Sequence, residues 1–461
     1  MNKQATQVVD PSVWEDLRAQ RKQMEQVIAD ALQQARDLGA TAAEADASLD
    51  EGLGVSVRLG EVETVEHTRD RGLTITVYQG QRRGSASCGD LEPATIQETV
   101  RRAMDIAKYT QEDPYCGLAD AELMAREFPD LDLCHPADLS ADAAIERALA
   151  CEQAGRDADS QINNSEGASF GKNLSISAYG NSHGFVASDY GTSFSQSIAL
   201  IAGEGDGMQR DYWWDSHRVL DQLEAPELTG RTAAERTVKR LGASQVPTAV
   251  VPVLFTPRMA AGLIGHLVSA AAGSALYKRS SFLLDRLQEQ LFPSWMNIIE
   301  DPFLPQGKRS AAFDAEGVAT QRSALIADGC LARYILGSYS ARRLGMTTTA
   351  NAGGTRNLLV NAGGDAGGKD FEALVKQMDR GLIVDEVMGQ GVNTVTGDYS
   401  RGAAGFWVEN GQVSQAVQEV TIAGNLNQVF ADIIAAGNDV DQRGNIHAPS
   451  LLVEKMTVAG A

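Results

Sequence analysis

The sequence predicts an α+β protein, with an N-terminal α/β region followed by a β-rich C-terminal domain. Three observations carry this. From Ser12 to Leu38, residues Leu17, Met24, Val27, Ile28, Ala31, Leu32 and Ala35 recur at helical spacing. Between Val55 and Val77 several stretches alternate apolar and polar residues, most strictly Leu73–Val77. Past residue 350 glycines crowd between β-type segments, as in Asn351–Gly354, Asn361–Gly368 and Gly397–Gly405.

In chain order, the first helix stops at Gly39, and the alternating strands are punctuated by Gly60, Gly72, Gly80 and Gly84. Pro93 suits a first helical position and opens a second helix that runs to Tyr109. A linker rich in Asp and Pro covers 111–136, and a helix follows from Ser140. Residues 162–202 read as strands, and Gly180–Gly184 as a tight turn. A helix over Leu228–Leu241 precedes a buried strand, Val250–Phe255, in which Pro252 is an irregularity. Met259–Ala275 reads as an apolar helix, and an amphipathic helix is expected to reach Leu291. Asn410-Gly411 between Phe406–Val408 and Val413 is a type I′ hairpin signal. At about 100–200 residues per domain, three domains are expected, over 1–110, 111–240 and 241–461.

The 461 residues include 40 Lys and Arg against 61 Asp and Glu, a formal charge of −21. A protein built on phosphate-backbone contacts needs a basic footprint, so nucleic acid is not expected as a partner. No apolar run is long enough to span a membrane and the first residues lack a secretory core, so a cytoplasmic protein is expected. The five cysteines, Cys88, Cys116, Cys134, Cys151 and Cys330, form no C-x-x-C pair, which argues against a disulfide framework or zinc ribbon.

The six histidines are scattered; the nearest pair, His183 and His217, is 34 positions apart. No helix-borne pair can therefore place two imidazoles on one face, as zinc sites of the H-E-x-x-H type require. Ser182 beside His183 is a turn and not a dyad, and no G-x-S-x-G elbow, Walker loop or complete G-x-G-x-x-G occurs. Asp385-Glu386 is read as surface or hairpin charge. From the residues alone no self-sufficient active site emerges. His266, in the helix Gly262–Gly273, is either a satisfied core histidine or the remnant of a metal-binding helix.

As a set, Val57–Glu63, Gly72–Tyr78, Tyr179–Gly184, Gly265–Val268, Val387–Val392, Thr396–Gly411 and Thr421–Leu426 resemble the TldD/PmbA metalloprotease family, and within it the PmbA (TldE) branch. The resemblance spans about residue 15 to residue 460. It implies the fold given above and action on small or unfolded peptides. TldD-type members carry H-E-x-x-x-H on a helix, completed by a C-terminal cysteine, with the glutamate as general base. If His266 matches the first histidine, Leu267 stands where the glutamate would be and Ala271 where the second histidine would be. Gly444–Pro449 contains no cysteine, although it offers His447.

The resemblance therefore implies a subunit without catalytic residues or metal of its own, paired with a TldD-type metalloprotease that holds the zinc. This chain would shape a shared cleft for an extended peptide, with strand addition at a sheet edge as one way to hold it, and could form a homodimer without the partner. Residues expected at that cleft are His266, Gly389, Gly391, Tyr399, Ser400 and Arg401, with Arg401 paired to Asp398 as the plain structural alternative. The alternative function is a non-catalytic regulator that binds peptides or proteins; a third reading is an independent hydrolase using His266 or His447. The family's description as a modulator of DNA gyrase would then run through protein partners.

Overall fold

The computed structural model describes residues 11–460. The chain divides into two compact units, one of Met1–Ala202, Arg210–Thr237 and Ala312–Ala319, the other of Gly203–Gln209, Val238–Ala311 and Thr320–Ala461.

The first unit is a long antiparallel sheet with helices. Its elements are α1 (Pro11–Asp37), β1 (Ala42–Arg58), β2 (Glu61–Gln79), β3 (Arg82–Cys88), α2 (Pro93–Tyr109), α3 (Ala141–Asp157), β4 (Ile162–Asn181), β5 (Val186–Ala202), β6 (Gln209–His217) and α4 (Pro226–Lys239). The strand order is β3-β2-β1-β4-β5-β6. The predicted apolar stripe of α1 is its buried face, and it packs with α2 on Ala43, Ala45, Ala47 and Leu49 of β1 and Leu73, Ile75 and Val77 of β2. These are alternate residues, so the pleat sends every second side chain into this core. Gly84 lets β3 approach α2: a Cβ there would lie 2.1 Å from the Ala103 carbonyl oxygen. The helix expected from Ser140 starts there as α3, and Ser140 caps it, accepting a bond from the Ala143 N–H at 3.2 Å. Gly180–Gly184 is the tight turn joining β4 to β5, with Gly184 at φ +88°.

The second unit contains β7 (Ala249–Phe255), α5 (Pro257–Ala271), α6 (Gly273–Tyr277), β8 (Met296–Asp301), β9 (Ser323–Ala327), β10 (Cys330–Leu331), α7 (Ser338–Leu344), β11 (Asn357–Ala362), α8 (Phe371–Met378), β12 (Gly381–Met388), β13 (Asp398–Glu409), β14 (Gln412–Asn425), α9 (Leu426–Ala431), β15 (Ile433–Ala436), β16 (Ile446–His447) and β17 (Leu451–Ala459). A five-stranded sheet has the order β10-β9-β8-β11-β16 and a six-stranded one the order β14-β13-β12-β7-β17-β15. Because β14 also pairs with β17, five strands of the larger sheet close on themselves, which removes free edges. The α+β class and the β-rich C-terminal part are what the sequence led us to expect.

Pro252 explains an irregularity in this closed sheet. β7 pairs with β12 only from Val253 onward, and β17 shifts register between Val453 and Met456, opposite Val253 and Val251. Pro252 falls in that gap, so its missing N–H breaks no ladder bond. The Asn410-Gly411 hairpin has both turn residues at positive φ, 53° and 68°, as a type I′ turn requires.

Two expected helices differ. Met259–Ala275 breaks at Ala272, which is extended (ψ 135°) and bridges Ile335, so the helix is divided into α5 and α6. The segment up to Leu291 is not helical. Tertiary bonds claim its backbone: Tyr334 donates its hydroxyl to the Leu283 carbonyl at 2.8 Å, and the Gln288 N–H bonds Leu331 at 2.8 Å. Asp285 and Gln288 take positive φ there, of 62° and 66°.

Candidate functional site

The site lies in the second unit and begins with the turn from β7 into α5. Pro257 sits in the first helical turn, and the Thr256 N–H bonds the Val384 carbonyl at 3.2 Å, which fixes the helix start against β12. Ala260, Leu263, Ile264, Leu267, Ala270 and Ala271 form the buried stripe of α5. His266 lies beside that stripe and is half-buried.

Its ring meets Tyr399, at the start of β13, edge-on at 5.8 Å between centroids. Tyr399 is 3% exposed, and burial pushes its hydroxyl up to about 12, against the pull of Arg401. Burial, with the nearby Arg401 charge, lowers the His266 imidazole below its ordinary value. At neutral pH the ring is therefore uncharged, able to accept a hydrogen bond at one nitrogen and donate at the other.

Backbone contacts bring the remaining predicted residues to the same place. The Ser400 N–H donates to the Gly391 carbonyl at 2.7 Å, and Val392 bridges Tyr399. Gly391 has to be glycine, since a Cβ would stand 1.9 Å from the Ser400 carbonyl oxygen. Gly389 turns the chain at φ +80°. Arg401 donates its Nε to the Met388 carbonyl at 3.1 Å, across the same turn. The structural alternative for Arg401 is thus corrected: Asp398 is bonded instead by Thr396 at 2.6 Å and Asn425 at 3.0 Å, which hold its carboxyl below the usual range.

Three features escaped the sequence reading. Asp385 and Glu386 are not loose surface charge: Arg258 stands 4.0 Å from Asp385, and Arg240 bonds Glu386. Asp441 is clasped by Arg443 at 2.7 Å and 3.0 Å, which lowers its carboxyl against the cost of burial. Glu300, in β8, is a buried acid bonded by Arg333, Asn351 and the Arg356 N–H. The partners of Asp385, Glu386 and Glu300 are far away in sequence, so no local pattern marked them. His447 sits on β16, paired in register with Leu359, and burial lowers its imidazole too.

Leu267 and Ala271, one and five positions after His266, are fully buried in the core. Among the described residues no three His, Cys, Asp or Glu side chains group as a metal would need.

Replacing Arg401 by methionine removes the charge that helps hold His266 neutral. The imidazole is expected to titrate at higher pH than in the wild type, as followed by NMR of the ring protons; an unmoved titration would show that Arg401 does not act on it. Because the unfolded chain takes this proton first, His266 also subtracts stability as the pH falls below its ordinary value of about 6.5.

Family models described as PmbA/TldA metallopeptidase domain 1, central domain and C-terminal domain match residues 43–107, 134–241 and 248–460. Over 96% of this chain and 98% of that protein, the sequence is 47% identical to the metalloprotease PmbA of Escherichia coli O157:H7. The chain belongs to the PmbA/TldD family. A crystal structure from Bacteroides thetaiotaomicron, described as a candidate modulator of DNA gyrase, is 27% identical and superposes with a TM-score of 0.89 over 95% of this chain and 98% of that one. TldE of Thermococcus kodakarensis, at 20% identity, shares the fold with a TM-score of 0.82, over 94% of this chain and all of that one. This PmbA-type chain is thus a metallopeptidase relative by sequence, with the β-rich C-terminal domain of its solved neighbours. No helix of the described residues is long and apolar enough to cross a membrane.

Proposed function

We propose that this chain is the metal-free subunit of a heteromeric cytoplasmic peptidase acting on small or unfolded peptides, and that a TldD-type subunit supplies the zinc. The observation that supports this is α5: it leaves His266 half-buried against Tyr399 while Leu267 and Ala271 are spent on the core. In this reading the chain contributes shape and hydrogen bonds. The neutral His266 ring pairs with a peptide amide. Arg401 attracts a carbonyl or carboxylate, and the exposed backbone of Gly389–Gly391 offers strand-like bonds to an extended chain. These groups orient the substrate, and the reacting water belongs to the partner.

The test is the purified chain, alone and mixed with a TldD-type subunit, followed by metal analysis and cleavage of an unfolded peptide. Cleavage that appears only in the mixture, with zinc absent from the isolated chain, is expected. Stoichiometric zinc and full cleavage by the chain alone would overturn the proposal. Peptide binding with no cleavage in either sample would make it a binding regulator instead.

A further inference from the structure

The first unit holds a cavity of about 590 Å³ that the cleft residues do not touch. One wall is aromatic and apolar. Phe128 and Phe313 line it and cluster with Phe185, with ring centroids 5.4–6.4 Å apart. Phe128 is 54% exposed and the neighbouring Val186 38%. An exposed aromatic ring beside a cavity offers a face on which an apolar group can pack.

The rest of the lining is largely acidic. Glu25, Asp130, Asp132 and Asp189 line it, against Arg21 and His135 as the basic groups. The chain shows what this wall accepts, because it already lodges one guanidinium there. Arg21 donates to the Ser188 hydroxyl at 2.6 Å, lies 3.8 Å from Glu25 and covers the Tyr190 ring at 5.4 Å. Trp14 meets Tyr190 edge-on, with ring centroids 6.2 Å apart. Ser188 is 8% exposed and itself bonds Glu25, so the floor is fixed. Burial raises the Asp189 carboxyl even though the Tyr190 N–H and the Arg21 and Arg218 charges pull it down, and a further cation would offset the remaining cost.

We propose that this cavity binds the cationic side chain of a peptide, with an apolar or aromatic neighbouring residue seated on Phe128 and Phe313. The acidic wall supplies the charge, and the ring faces supply cation–π and stacking contacts. The site goes beyond the cleft of the second unit and does not depend on a partner subunit.

The experiment is a titration of the full chain with fluorescein-labelled Ala-Lys-Phe-Ala, read by anisotropy. Versions with norleucine or glutamate in place of lysine serve as controls. The lysine peptide is expected to bind about tenfold more tightly than the norleucine one, and the glutamate peptide more weakly still. Phe128→Ala, at an exposed position that leaves the core intact, is expected to weaken the lysine peptide about tenfold; Asp189→Asn should do the same wherever its thermal melt is unchanged. Equal binding of the three peptides, no binding at all, or Phe128→Ala matching the wild type would overturn the proposal. Loss of binding in Arg401→Met with Phe128→Ala unaffected would place the peptide in the other cleft. That outcome sinks this site and leaves the proposed function standing.

Discussion

Glu300→Ala is expected to destabilise the second unit by about 3–5 kcal/mol. The carboxylate is buried, with a side chain only 4% exposed. Both of its oxygens are used: Asn351 donates to them at 2.9 Å and 3.1 Å, and Arg333 and the Arg356 N–H complete the set. Alanine would leave the Arg333 guanidinium, itself 14% exposed, without its counter-charge. It would also orphan a buried backbone donor, and such losses cost more than the bonds contributed. The cluster ties β8, where Glu300 faces Leu358 of β11, to the loop from Asn351 to Arg356. Thermal unfolding should fall by about 10 °C, while Glu300→Gln, which keeps an acceptor for the Arg356 N–H, should lose less. A change below about 1 kcal/mol would mean that the network is solvated and the mechanism wrong.

Where the chain's own neighbours decide, the sequence was legible. The stripe on α1, the helix start at Ser140, the Asn410-Gly411 turn and Pro93 at the start of α2 each depend on residues within a few positions, and each stands where it was read. Where distant segments decide, it was not. Ser281–Leu291 carries a helical pattern, yet its carbonyls and N–H groups are taken by Tyr334, Gly329 and Leu331, and the helix does not form. Arg401 has an acid three residues away, but the turn at Gly389–Gly391 brings the Met388 carbonyl closer to its Nε. The gathering of His266, Tyr399 and Arg401 came from family resemblance. Periodicity could show His266 at the margin of an apolar helix, but a partner 133 positions away leaves no mark on local spacing.

The double substitution Leu267→Glu with Ala271→His, which rewrites α5 toward H-E-x-x-x-H, is expected to unfold the second unit and not to load it with zinc. Leu267 and Ala271 have no exposed surface, and both belong to the core formed with Val253, Leu382 and Phe430. A carboxylate there loses its hydration with no cation to meet it, a cost of several kcal/mol. The imidazole in place of Ala271 must also displace packed neighbours, for about 1–3 kcal/mol more. Together these approach the whole stability of an ordinary domain. Zinc could offset them only if a third ligand stood ready, and residues 444–449 bring His447 but no cysteine. The expected result is a melting temperature at least 10 °C lower and under about 0.1 zinc per chain by atomic absorption. A well-folded double variant that takes up one zinc per chain would overturn this. It would mean that the helix can turn its buried side to the cleft, so that the division of labour proposed for this subunit rests on two substitutions alone and not on the packing of its core.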